Sequence, residues 1–307
     1  MAVAAVWYPH ALDLDGSNVI TELQDVTPAN NFQDIVEYSA GEAAPQYGGS
    51  YGAVPDINFT TPQCKTILDL INVEAVAKDL SAGSVDMYFR KGDPNATREA
   101  TAATVHDRWR LTTNAVLALQ TIEASQNSLA TVRARLLPVW NGSNNPIIAT
   151  GSVALSGTSA ASEFYTLGRV DINGTDISAV ADVSIDYQVE FEEVADSGEP
   201  FISYGGIRRF APRVSIRSRD VTLFRTYGAA GTALSSLEVY LRKMDASGHV
   251  VANATTQHIK FTATAGTIRA REVSGVPEAV VSVDIDLLKP NATTDPLLIS
   301  STAVAIT

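Results

Sequence analysis

Asp86-Met87-Tyr88-Phe89-Arg90-Lys91-Gly92-Asp93 is nearly reprinted as Glu238-Val239-Tyr240-Leu241-Arg242-Lys243-Met244-Asp245. Tyr88 and Tyr240 lie 152 residues apart, and the same offset pairs Thr104 with Thr256, His106 with His258 and Trp109 with Phe261. Upstream, Tyr47-Gly48-Gly49 matches Tyr204-Gly205-Gly206, and Pro55 matches Pro212, at 157; Leu12-Asp13-Leu14-Asp15-Gly16 answers Val170-Asp171-Ile172-Asn173-Gly174 at 158. Downstream, Leu136-Leu137 finds Leu287-Leu288 at 151, and Asn145-Pro146-Ile147-Ile148 finds Asp295-Pro296-Leu297-Leu298 at 150. The order never inverts and the offset drifts slowly, as a tandem duplication requires. Residues 1–157 are therefore expected to be one module and 158–307 its second copy, with five extra residues in the first between about Asn72 and Ala82.

A chain of 307 residues is long enough for two cores. Its hydrophobic content of 45% against 18% charged residues is that of a folded globular protein, and no segment has the run of about 20 apolar residues that a membrane helix needs. No membrane association is expected. The start, Met1-Ala2-Val3-Ala4-Ala5-Val6-Trp7, carries no Lys or Arg ahead of its short apolar run and makes a poor signal peptide. The single cysteine, Cys64, excludes an internal disulfide framework. Six Asn-x-Ser/Thr triplets read as chance in a Ser/Thr-rich chain without a secretory signal. A net charge of −12, with both copies acidic, argues against a grip on nucleic-acid phosphates.

The local patterns are mainly those of strands. Val183, Ile185, Tyr187, Val189 and Phe191 alternate with polar residues through Glu192 and predict one half-buried strand. Asp15-Gly16 and Asn173-Gly174 predict hairpin turns. An EF-hand loop starting at Asp13 would need Gly and Glu where Asn18 and Gln24 stand. Ser39 to Pro55 and Asp196 to Pro212 read as long Gly- and Pro-marked loops, placed for contact with a neighbouring subunit. Thr61-Pro62 reads as an N-cap and first turn, ahead of an amphipathic helix with Cys64, Ile67, Leu68 and Ile71 on one face. Its counterpart, Ser218 to Tyr227, puts Val221 and Phe224 in the places of Cys64 and Ile67. The fold class is mainly β: two β-sandwich or barrel modules, each with one packing helix, joined by a linker at Ser156 to Ser162.

No chemistry is signalled. Cys64 lies on an apolar stripe and is replaced by valine in the other copy, which makes it a structural thiol. His106 and His258 are equivalent, yet each lacks a second metal ligand nearby in sequence. No G-x-S-x-G elbow, Walker loop or H-E-x-x-H helix occurs, and the glycines of Tyr47 to Gly52 do not open a helix. No catalytic residue, cofactor or metal site is expected, and the chain does not read as an enzyme.

The order of a short hairpin (Val170-Asp171-Ile172-Asn173-Gly174), an alternating strand, a long Gly-containing loop, the Ser218 to Tyr227 segment, the Ser236 to Arg242 strand and a closing Val/Ile/Leu strand resembles the tail tube proteins of long-tailed bacteriophages. The resemblance spans both copies and implies stacked rings whose inner strands line a DNA channel. Six modules usually complete such a ring, so it implies a homotrimer of this chain with pseudo-sixfold symmetry. Its partners would be itself, other tail proteins and DNA in transit, its place the virion tail after assembly in the host cytoplasm. The trimeric hub of a tail tip is the near alternative. A two-domain carbohydrate-binding surface protein is the competitor, but the aromatic residues are scattered without a platform.

One charge difference separates the copies. Arg208, Arg209, Arg213, Arg217, Arg219 and Arg225 stand where the first copy has Tyr51, Gly52, Asp56, Thr60, Pro62 and Leu68. Three partners suit such a strip: carboxylates of its own domain, channel DNA, or carboxylates of a neighbouring subunit. The last is carried forward, because bidentate Arg–carboxylate pairs would fix the order of modules around a ring. The expected inter-subunit residues are thus Tyr47, Gly48, Gly49, Tyr204, Gly205, Gly206, Arg208, Arg209, Arg213, Arg217 and Arg219.

Overall fold

The computed structural model describes residues 6–29, 31–37, 40, 43–44, 47–73, 75–92, 98–143, 145–155, 163–196, 198–228, 230–274, 279–291, 296 and 298–307. The expected linker at 156–162 lies outside them. The chain is mainly β. Its first half runs β1 (Val6–Asp13), β2 (Val19–Ile20), β3 (Asp25–Ala29), β4 (Phe32–Glu37), β5 (Tyr47–Ala53), β6 (Asp56–Thr61), α1 (Cys64–Ile71), β7 (Ala77–Leu80), β8 (Val85–Gly92), β9 (His106–Leu111), β10 (Ala115–Ser125), β11 (Thr131–Pro138) and β12 (Ile147–Val153). The second runs β13 (Phe164–Ile172), β14 (Thr175–Asp176), β15 (Val180–Asp186), β16 (Glu190–Val194), β17 (Tyr204–Arg209), β18 (Arg213–Ser218), α2 (Thr222–Tyr227), β19 (Thr232–Leu234), β20 (Leu237–Met244), β21 (His258–Ala263), β22 (Gly266–Ser274), β23 (Val280–Leu287) and β24 (Ile299–Val304).

Strand order repeats between the halves. One five-stranded sheet is ordered β2-β1-β8-β9-β12 and another β14-β13-β20-β21-β24. The third sheet has ten strands, β19-β22-β23-β18-β15 continuing into β10-β11-β6-β3, with β7 on β10. Alternation makes it amphipathic: Val214 and Ile216 of β18 are buried between Arg213, Ser215 and Arg217. The buried faces of all three sheets, with Cys64, Ile67, Leu68 and Ile71 of α1, share one hydrophobic cluster. Local devices recur too. Asp13 Oδ1 accepts the Gly16 N–H and Asp171 Oδ1 the Gly174 N–H, each at 2.8 Å, closing the same hairpin turn. Both β1 and β13 carry a bulge, at Pro9/Ala11 and Leu167/Val170. The second needs glycine, since a Cβ on Gly168 would sit 2.8 Å from the Tyr240 carbonyl oxygen.

Several expectations are corrected. Val183 to Glu192 is two strands, because Gln188 takes a positive φ of 46° and its N–H turns onto Asp186 Oδ1. The supposed long loops contain strands: β5 pairs with β4, and β17 with β16, making two-stranded ribbons. Helix α1 starts at Cys64, while Thr61 Oγ1 accepts the Gln63 N–H and donates to the Glu22 carbonyl. Helix α2 is shorter than expected and buries Leu223 and Tyr227, leaving Val221 and Phe224 exposed. Strand register puts Leu136, opposite Leu117 and Ile57, in the place of Ile285, opposite Ile268 and Val214, and not of Leu287.

Candidate functional site

The seam between the halves is the most specific feature of the structure. Strand β15 adds to the free flank of β10 beyond the part that β7 covers, pairing Thr121 with Asp186, Ile122 with Ile185, Glu123 with Ser184, Ala124 with Val183 and Ser125 with Asp182. The ladder continues outward as the Tyr187 N–H donates to the Gln120 carbonyl and the Gln126 N–H to the Ala181 carbonyl, both at 2.9 Å. Beneath it, Ala130 ties α1 to β13: its carbonyl accepts the Cys64 thiol at 3.5 Å and its N–H donates to the Tyr165 carbonyl at 2.7 Å. Thr302 Oγ1 donates to Asp69 Oδ1 at 2.8 Å, so β24 also leans on α1. The β16–β17 ribbon lies over the end of β11, where a Cβ on Gly205 would meet Val139 Cγ2 at 2.9 Å. Arg135 Nη2 reaches Glu193 Oε1 at 2.9 Å with its guanidinium over the Phe191 ring. Backbone ladder, apolar burial and an ion pair thus bind the halves edge to edge.

The arginine strip finds partners within its own chain. Arg213 Nε donates to Asp286 Oδ1 at 2.7 Å and Arg217 Nη1 to Asp182 Oδ2 at 3.1 Å, each across one strand pair, while Arg208 and Arg209 both pair with Glu190. These four pairs lie within the chain, where the sequence suggested carboxylates of a neighbouring subunit. Antiparallel pairing sets Arg213 opposite Asp286 and Asp182 opposite Arg217 on the wet face, where opposite charges meet at short range. The Arg219 N–H donates to the Ala179 carbonyl at 3.0 Å. Tyr47, Gly48 and Gly49 lie in β5; Tyr204, Gly205 and Gly206 lie in β17 with Tyr204 exposed.

Burial pushes the Asp286 carboxyl up, but the hydrogen bonds and charges of Arg213 and Arg269 outweigh it and hold the group below the usual carboxylate range. An acid with a depressed folded pKa contributes stability above its unfolded pKa and loses it as pH falls through the folded one. Denaturant midpoints should hold from pH 7 down to about pH 4 and then drop, given an unfolded Asp pKa of about 3.9. Asp286→Asn should lower neutral-pH stability by about 1 kcal/mol, modest because the pair is partly solvated, and flatten the profile below pH 4. A variant whose acid profile matches the wild type would remove Asp286 from this account.

No metal-binding cluster occurs among the described residues. His106 and His258 are structural: each Nδ1 accepts a backbone N–H, of Lys91 at 3.0 Å and Lys243 at 3.1 Å. Each Nε2–H donates to a carbonyl, of Ala100 at 2.9 Å and Ala252 at 3.0 Å. Burial pushes the Cys64 thiol up to about 12, as befits an inert structural thiol. No helix among the described residues is long and apolar enough to cross a membrane. No known protein family matches the chain, and no curated protein matches it.

Proposed function

We propose that the chain is a self-assembling structural subunit, a tail-tube-like protein built of two copies of one module, three chains of which close a pseudo-sixfold ring that stacks into a tube. The carrying observation is the seam, where two halves of like strand order are joined edge to edge by β10 and β15. The counterparts of those two edges are the stretch of β22 beyond β19 and strand β3, which lie toward opposite ends of the ten-stranded sheet with no further strand on them among the described residues. A contact of this head-to-tail kind repeats from chain to chain and closes a ring when its rotation divides the circle. The wet face of that sheet suits a channel wall that lets DNA pass: its arginines are held by Asp286 and Asp182 in a net acidic chain, so phosphates meet few uncommitted cations. Tail-tube assembly would place the protein in a virion. A glycan-binding role finds less support, because the close aromatic pairs, Phe89–Trp109 and Trp140–Phe201, are tilted at 56° and 54° and form no flat platform.

Electron microscopy of the purified full chain, with mass measurement of its particles, tests the reading. Rings of three chains that stack into tubes are expected. Dispersed monomers at every concentration, or rings of six chains, would overturn it.

A further inference from the structure

The open ends of the ten-stranded sheet carry apolar residues whose counterparts in the other half are buried in the seam. Val273 is paired with Val281 one step past a bulge in β22, as Ile122 is paired with Val132 one step past a bulge in β10. Ile122 is covered by β15 and 1% exposed, whereas Val273 is 47% exposed, because β19 covers only Gly266 to Ile268 of β22. Phe224, at the position of the fully buried Ile67, is 41% exposed, and Val221, at that of Cys64, is exposed beside it. At the opposite end Trp7, in register with Lys91, is 40% exposed, whereas Tyr165, in register with Lys243, is fully buried near α1. Each end therefore lacks the cover that the counterpart of the other end supplies at the seam.

We propose that a second copy of this chain docks here: β3 of one copy pairs with β22 of another in the seam's register, Trp7 packing against Val221 and Phe224. The inference rests on the self-assembly reading and fixes its partner surface. Copying the seam sets Glu272 opposite Ala29, Val273 opposite Pro28 and Ser274 opposite Thr27, since Pro28 stands to Ile57 as Ile185 stands to Val214. The copy differs in one respect. The two-residue alternation from the Tyr187 N–H to the Gln120 carbonyl puts the Ile185 N–H on the β10 side, and proline has no N–H to offer there. The junction between chains is thus one hydrogen bond short of the junction within a chain, and the β3 edge, which no strand covers among the described residues, is guarded against promiscuous pairing.

Sedimentation velocity and electron microscopy of full-length variants test this. Val273→Asp combined with Phe224→Asp should disable one end, and Trp7→Asp the other, each leaving folded monomers. Mixed, the two variants should form 1:1 heterodimers and nothing larger, since only one competent junction remains. Pro28→Val restores the missing donor and should tighten association by about two- to tenfold per junction with particle size unchanged, whereas promiscuous edge pairing would give larger, irregular aggregates. Wild-type tubes with both end variants assembling normally would overturn the docking surface while leaving the self-assembly reading intact. Wild-type oligomers that respond to the variants as described but never close or stack would overturn the ring and keep the surface. Wild-type monomers at all concentrations would overturn both.

Discussion

Ile122→Asp should unfold the chain or lower its stability by about 4 kcal/mol or more, because it buries an unpaired carboxylate at the seam. Ile122 sits between Val132 and Ile185 with its backbone committed to both neighbours, so neither a rotamer change nor a local shift brings the charge to water. The same substitution at Val273, the matching position of the other half, should cost the monomer about 0.5 kcal/mol or less, as at an ordinary surface site. Urea unfolding at concentrations where both variants are monomeric provides the comparison, with the midpoint and slope read together. Equal losses at the two sites would mean that Val273 is not an open counterpart of Ile122. A seam that tolerates the aspartate would mean that the halves fold without each other's cover, and that the shared cluster adds little to either.

His106→Ala and His258→Ala should each cost about 3–5 kcal/mol. Each removes a fully buried ring, strands a backbone N–H at about 1–3 kcal/mol, and leaves a cavity. The two imidazoles make the same two contacts fifteen residues from Lys91 or Lys243 and six from Ala100 or Ala252, so the losses should agree within about 1 kcal/mol. Thermal or urea unfolding measures them, and nitrogen chemical shifts of the rings should report an Nε2-protonated tautomer in both. Losses confined to one histidine, or stability that rises with added zinc, would contradict a purely structural role.

The patterns that sequence exposes are those written in neighbouring residues. Alternation marked the strands around Val85, Leu237 and Val281, the Asp-Gly and Asn-Gly pairs marked two hairpin turns, and Cys64, Ile67, Leu68 and Ile71 marked the buried face of α1. Each signal lies within one strand or two helical turns, the range over which side-chain direction follows from backbone period alone. Signals failed where backbone hydrogen bonds act without help from side chains. Tyr47 to Ala53 looks like a loop because Gly and Ser dominate it, yet its amides pair with β4. The alternation through Gln188 continues in the residue types while the chain itself turns.

By itself the sequence determined a mainly β chain, internal echoes at a slowly drifting offset and an acidic balance. Tertiary structure alone decided which edges meet. Arg213 finds Asp286 73 residues away, and Arg217 finds Asp182 35 residues back, because β18 lies between β23 and β15. Nothing near either arginine in sequence announces that partner. The burial of Ile122 and exposure of Val273, two β-branched residues in matching positions, likewise depend only on whether a further strand follows. Strand pairing is a non-local contact whose hydrogen bonds are made by backbone groups common to every residue, so the choice between a covered edge and an open one is set by the assembled sheet.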